Sequence, residues 1–147
     1  MTDAIKHITS LGVKKGGLFP RESIILSTTA TIGEYALVKT DFLCNQQITC
    51  LSIKKIFGTK LLSKFLYYLS DGIGKWCKKN VNGGGSLLIV STGKLNNLLI
   101  PIPSLQEQQR IVSILDTFEA SIQNLEAQLK QREKQYEYYR NKLLTFE

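Results

Sequence analysis

The C-terminal third of the chain leaves the least freedom to any fold. From Ser104 to Glu147 there is no Gly or Pro, while Pro101 and Pro103 stand just before it. Ser104 with Glu107 three residues on has the pattern of a capping box, in which hydroxyl and carboxylate each satisfy an orphan N–H at a helix start. Behind that start the apolar residues step alternately by four and three. They are Ile111, Leu115, Phe118, Ile122, Leu125, Leu129, then Arg132, then Tyr136, Tyr139, Leu143 and Phe146. Ten of these eleven positions are apolar. So narrow a stripe, with a period near 3.5, is a coiled-coil seam; the face of a helix buried in a globular core is broader. As a helix the segment extends to about 66 Å. A rod of that length outruns the flank of an ordinary domain, so the seam is expected to pair with a second helix. Arg132 is the one seam residue that an apolar interface would refuse. In an antiparallel pairing with nearly full overlap it lies opposite positions near 119, where Glu119 or Asp116 of the partner is expected to meet it and fix the register.

The remaining residues, 1–103, have room for one domain with its own core. Apolar content of 43% and charged content of 21% are those of a folded chain. No apolar run approaches the roughly 18 residues that span a bilayer, and the first residues lack a signal-peptide pattern. A cytoplasmic protein without a membrane partner is therefore expected. Three cysteines (Cys44, Cys50, Cys77) and one histidine (His7) lack metal-ligand spacing, which argues against a zinc site. The cysteines are expected as small core residues in a reducing compartment.

Charge is unevenly placed. Residues 1–103 hold 13 Lys/Arg against 5 Asp/Glu, a net of +8, and residues 104–147 hold 6 against 7, a net of −1. The globular part is thus suited to a polyanion and the rod to a protein partner.

Along the chain, residues 1–22 read as irregular, broken by Gly12, Gly16, Gly17 and Pro20. Ser23 to Ser27 (SIILS) reads as a buried strand, followed by a hydroxyl-rich loop from Thr28 to Gly33. Tyr35 to Val38 and Gln47 to Ile53 are further strands, with a turn between them. From Thr59 the period becomes helical: Leu62, Phe65, Leu66, Leu69, Ile73 and Trp76 share a face, read as two short helices broken near Asp71-Gly72. The loop Asn82 to Ser86 (NGGGS) leads to a strand at Leu87–Val90, a helical turn within Ser91–Asn96 and an extended exit at Leu98–Ile102. The expected architecture is a mixed α/β (α+β) domain on residues 1–103, followed by a long C-terminal α-helix on 104–147 that forms an antiparallel coiled coil.

No catalytic constellation emerges. NGGGS feeds a strand and lacks the Lys-Ser/Thr of a phosphate loop, and no GxGxxG follows a strand. Asp3, Glu22, Glu34, Asp41 and Asp71 are too dispersed to hold magnesium for a nuclease. A binding surface remains. Lys14, Lys15 and Arg21 lie beside Gly16 and Gly17, which permit close approach to a phosphate backbone. Lys78, Lys79, Asn80 and Asn82 run into Gly83, Gly84 and Ser86, combining cations for phosphates with amides that can pair with base edges. Thr28, Thr29 and Thr31 add hydroxyls and methyls. Two other readings compete: a coiled-coil interaction protein whose basic domain binds an acidic protein, and an inactive truncated remnant.

Several stretches resemble one family. Ser23 to Ser27 with Thr31-Ile32-Gly33, then Cys44 to Gln47, then Phe65 to Leu69 occur in the order found in the specificity subunit of type I restriction–modification systems. Ile100 to Ile111 (IPIPSLQEQQRI) is similar to the start of that family's spacer helix, and Tyr139 to Leu144 fits its far end. The resemblance implies a DNA target-recognition domain on 1–103, shorter than usual because family members carry further strands ahead of the position of Met1. It implies a spacer helix on 104–147 for dimerisation and subunit docking. It also implies that this chain binds no cofactor, with S-adenosylmethionine, ATP and Mg held by methyltransferase and restriction subunits. Full-length members carry two recognition domains and two antiparallel spacer helices, so a half-length chain is expected to pair with a second copy or another specificity half-subunit. The rod then sets the gap between half-sites on double-stranded DNA, and identical halves read an inverted repeat. Motifs shared across such a family cannot carry differences in reading, so Thr31 to Gly33 and Asn45-Gln46 are expected as scaffold. The loops at Lys14–Gly17 and Lys78–Ser86 are the expected base readers.

Overall fold

The computed structural model describes residues 1–2, 7–13, 17–82 and 88–145. It divides into two compact units, Met1–Gln109 and Arg110–Glu147.

The first unit is built on strand β1 (Ser23–Ser27), which lies between β2 (Tyr35–Val38) and β3 (Ile48–Leu51) in an antiparallel sheet of order β2-β1-β3. Ile24 faces Leu37 on one side and Leu51 on the other, and Leu26 faces Tyr35 and Thr49. Period-2 alternation sends Ile24 and Leu26 to one face of the sheet, where both are fully buried. Helix α1 (Ser63–Lys79) covers that face with Leu66, Ile73 and Cys77, and Ile32, Leu37, Val90 and Leu95 complete the core. The short helix α2 (Thr92–Asn96) is capped by Ser91, whose hydroxyl accepts the Lys94 N–H.

β1 and β2 fall where the residues place them, and β3 is the central part of the expected Gln47–Ile53 strand. Two expectations are corrected. Residues 63–79 form one unbroken helix, where two short helices broken near Asp71-Gly72 were expected. A Gly inside a helix costs about 1 kcal/mol relative to Ala, less than burying the apolar face behind it contributes, and the Lys75–Asp71 ion pair (2.6 Å) spans the suspect turn. The expected strand at 87–90 is also absent from its described part: Ile89 makes only isolated bridges, to Thr29 and to Asn82. Each neighbour offers it a single residue of edge, so no ladder develops.

Helix α3 (Leu105–Leu144) runs 40 residues without interruption, a rod of about 60 Å. Ser104 Oγ accepts the Glu107 N–H at 3.3 Å, as the capping pattern requires. The first turn of this helix belongs to the first compact unit, and the reason is Gln108. Its side chain is fully buried. Its Oε1 accepts the N–H of Leu62 at 2.9 Å, and its Nε2 donates to the carbonyls of Lys60 and Pro103, both at 2.8 Å. Leu62 is the residue before α1, so the amide satisfies an orphan donor at the start of one helix from the first turn of another.

Gln108→Leu keeps the bulk but strands one N–H and two carbonyls in a buried place. The loss expected is about 2–4 kcal/mol, read as a shift of the urea midpoint. A midpoint within error of the parent would show that water replaces the amide at no cost.

A candidate nucleic-acid interface

The loop joining β1 to β2 is closed by hydrogen bonds from the Ser27 N–H to the Glu34 carbonyl (2.8 Å) and from the Gly33 N–H to the Ser27 carbonyl (2.9 Å). Two residues in it adopt positive φ, Ala30 (55°) and Gly33 (88°). Gly33 lies directly on Gly74 of α1. A Cβ on Gly33 would stand 2.6 Å from the Gly74 carbonyl oxygen, and one on Gly74 would strike the carbonyl oxygen of Gly33. This backbone-to-backbone contact presses the threonine loop onto the last turns of α1. Ile89 reaches across the same region through its bridges to Thr29 and Asn82, and the Val90 N–H donates to the Thr28 carbonyl at 3.0 Å.

Two sequence-predicted sets, Thr28–Thr31 and Lys78–Asn82, thereby meet at one end of the sheet. Lys78 and Lys79 are exposed in the last turn of α1. Lys78 Nζ approaches Glu34 Oε1 at 3.4 Å, with the two side chains 56% and 70% exposed. A pair so open to water contributes at most about 1 kcal/mol. Asn80 ends the helix: its Nδ2 donates to the Trp76 carbonyl at 2.9 Å, so its amide serves the helix terminus. Asn82 is exposed. Thr29 Oγ1 approaches the Gln47 carbonyl at 3.5 Å, and Thr31 is exposed with its hydroxyl directed to Ser27 Oγ at 3.3 Å. Thr28 is different. It is 6% exposed, and its hydroxyl lies 3.2 Å from that of Thr49, inside the loop's own packing.

Arg21 is not brought to this end, and Gly17 has a positive φ (71°) with open space where a Cβ would point. Arg21 precedes the start of β1, where its N–H donates to Asp41 Oδ1 at 2.8 Å, and the five-residue strand separates it from the threonine loop. Its neighbour Glu22 accepts from Ser63 Oγ at 2.7 Å, at the start of α1. Lys14, Lys15, Gly16, Gly83, Gly84 and Ser86 lie outside the described residues, as does Phe146 of the seam.

One cation was missed in the sequence. Lys94 sits on α2 and donates to the Asn80 carbonyl at 3.4 Å, which adds it to the Lys78–Lys79 end. Its signal was Ser91 three residues earlier, a helix cap that turns a short polar stretch into a placed side chain.

The chemistry of the other groups is quiet. Cys77 is fully buried in the core. Cys44 and Cys50 are free thiols with sulfurs 2.8 Å apart. Burial, followed by its contact with Cys44, pushes the Cys50 thiol up to about 12, far from the thiolate that a nucleophile requires. Among the described residues no three His, Cys, Asp or Glu side chains gather as a metal site needs. No described helix is long and apolar enough to cross a membrane.

Fold and surface thus define a small basic α+β module continuous with a long helix that carries an exposed apolar seam. A family model, the type I restriction modification DNA specificity domain, matches residues 3–134. The chain belongs to that family. It is 41% identical over 154 residues to the EcoprrI type I restriction enzyme specificity subunit of Escherichia coli, covering 97% of this chain and 38% of that protein. It is 33% identical over 141 residues to the EcoR124I/EcoR124II specificity subunit of the same organism, covering 88% and 33%. The crystal structure of a type I restriction–modification S subunit from M. genitalium shares the fold, with a TM-score of 0.66 at 20% identity over 97% of this chain and 37% of that one. The chain spans between a third and two fifths of the length of these relatives.

The glycine contact yields a paired test. Gly33→Ala and Gly74→Ala should each cost about 2–4 kcal/mol, from a methyl forced against backbone and, at Gly33, from an unfavourable φ. Gly72→Ala, where a Cβ meets nothing within 4 Å, should stabilise by about 0.5–1 kcal/mol. Thermal or urea melts of the three variants check the order.

Proposed function

We propose that this chain is a sequence-reading module of a type I specificity subunit. In this reading the globular unit grips one half of a bipartite duplex site, and the long helix pairs antiparallel with a second spacer helix. That pairing holds another recognition unit at a fixed distance, and identical units would read an inverted site. The chain itself catalyses nothing. Methyltransferase and nuclease subunits docked on the assembly carry the chemistry, together with S-adenosylmethionine, ATP and Mg.

The observation that carries this reading is the union of two features in one polypeptide. Lys78, Lys79 and Lys94 stand with the exposed Asn82 at one end of the sheet, and the helix seam is open to water. Phe118, Leu125 and Leu143 are 62, 64 and 73% exposed. Phosphate contacts position a reader, and neighbouring amides and hydroxyls read bases. Thr28, being buried, belongs to the scaffold. Thr29, Thr31 and Asn82 are the described polar groups offered to the duplex, while Arg21 stands at the far end of β1.

Binding of the full chain to duplex DNA, followed by fluorescence anisotropy against salt, tests the assignment. Replacing Lys78 and Lys79 with Ala should weaken binding and lower the slope of log K against log salt by about 2. A slope equal to the parent's removes both lysines from the interface. Glu34→Gln releases Lys78 and removes a negative charge facing phosphate, so affinity should rise about two- to fivefold at low salt; a fall would place Glu34 among the readers.

A further inference from the structure

Two thiols stand together on the face of the sheet turned away from the core. The alternation that buries Ile24 and Leu26 turns Ile25 and its partners across the sheet, Ala36 and Cys50, to the other side. All three are only partly buried there. Cys44, also partly buried, comes back beside Cys50, with the two sulfurs 2.8 Å apart. Asn45 makes the turn that returns it. Its carbonyl accepts the Ile48 N–H at 3.2 Å and its Oδ1 accepts the Gln47 N–H at 3.1 Å. The expected place in the core is therefore held by Cys77 alone, which is fully buried.

The residues enclosed by this pair seat the threonine loop. The Gln47 carbonyl accepts from the Thr28 N–H at 3.4 Å, and from Thr28 Oγ1 and Thr29 Oγ1 at 3.5 Å each. The hydroxyls of Thr28 and Thr49 lie 3.2 Å apart. Contacts to Gln47 of that length are at the far limit of hydrogen bonding, so the seat is loosely tied. The thiols beside it are not far from bonding. A disulfide holds its sulfurs at about 2.05 Å, so the two need to draw together by roughly 0.8 Å.

We propose that Cys44 and Cys50 are a reversible modification site, closed to a disulfide by exchange with a low-molecular-weight disulfide such as oxidised glutathione. The closed form holds the turn between them, and through the Gln47 carbonyl the threonine loop, more rigidly than the open form. Cys44 attacks first, because burial and then the contact with Cys44 push the Cys50 thiol up to about 12 and keep its proton in place. The Cys44 thiolate attacks one sulfur of the small disulfide, whose S–S bond breaks and releases one thiolate. Cys50 then gives its proton to solvent and attacks the Cys44 sulfur, and the mixed disulfide breaks to release the second thiolate. The protein loses two electrons and two protons, and the small disulfide takes them up and leaves as two thiols.

The test equilibrates the full chain with mixtures of reduced and oxidised glutathione, then alkylates the remaining thiols and maps the peptides by mass without reduction. A link between Cys44 and Cys50 of one chain should form and be undone by dithiothreitol. Cys77 should stay reduced, so no substitution in the core is needed. In the linked form the unfolding constant from urea melts should fall roughly 10- to 50-fold, as closing a short loop in the unfolded chain requires. Hydrogen exchange at the Thr28 amide should slow at least about tenfold more than at the Leu95 amide of α2, which serves as reference. C44S and C50S should each form no internal link, and glutathione should leave their Thr28 exchange unchanged. Glutathione retained on Cys44 without closure, links between chains, or two thiols that stay open to alkylation throughout overturn the site. Equal slowing at Thr28 and Leu95 overturns the hold on the threonine loop.

Discussion

A single buried amide fixes the start of the long helix within the globular fold. Gln108 is the only residue of α3 that is buried among those described, and its Oε1 and both Nε2 hydrogens are engaged by backbone groups. Such a group is stable only where its partners are already held, because each buried N–H or carbonyl left without a partner costs about 1–3 kcal/mol. Lys60, Leu62 and Pro103 must therefore be in place for Gln108 to be buried, and Gln108 must be in place for those backbone groups to leave water. This mutual dependence explains why the first compact unit ends at Gln109, one turn inside the helix, although a proline-marked boundary precedes it. The helix start is a component of the globular fold, and the water-exposed seam begins only beyond it.

The second dependence is the contact of Gly33 with Gly74. Residues separated by forty positions meet backbone to backbone, with no side chain between them, and the distance from the β1–β2 loop to α1 is set by that contact. Everything gathered at this end of the sheet follows from it. Thr29 and Thr31 lie on the loop, Lys78 and Lys79 follow Gly74 by one turn, and Ile89 bridges back to Thr29. Rigid backbone carries the geometry, while the side chains above it are free to differ. A surface of this kind can change its side chains without changing its fold.

The sequence disclosed features that repeat and hid features that depend on one distant partner. The helix seam repeats every 3.5 residues from Ile111 to Phe146, so it was legible from spacing alone. β1 and β2 were legible because SIILS and YALV carry β-branched or apolar residues bounded by turn formers. The interior of α1 was misread because Gly72 has the appearance of a breaker, and only the face it sits on shows that the position is merely open. Ile89 sits among apolar residues that suggest a strand, and nothing local shows that its neighbours offer one residue each. Gln108 was illegible for the same reason. In the run Gln106-Glu107-Gln108-Gln109 all four residues look like helix surface, and two of the three backbone groups that hold Gln108, the Lys60 carbonyl and the Leu62 N–H, lie more than forty residues earlier. Thr28 and Thr29 are adjacent and chemically identical, yet pairing beside β3 buries the first and leaves the second at the rim.

The apolar seam and the charges of the chain also divide the work of association. An apolar stripe gains free energy from any other apolar stripe, roughly in proportion to the area withdrawn from water, and so cannot by itself choose. Choice is left to charge, which adds little stability at an exposed place but sets which partners approach. The same holds for DNA. A polyanion is drawn to the net +8 of residues 1–103, whereas carboxylates such as Glu119, Glu126 and Glu133 on the long helix repel it.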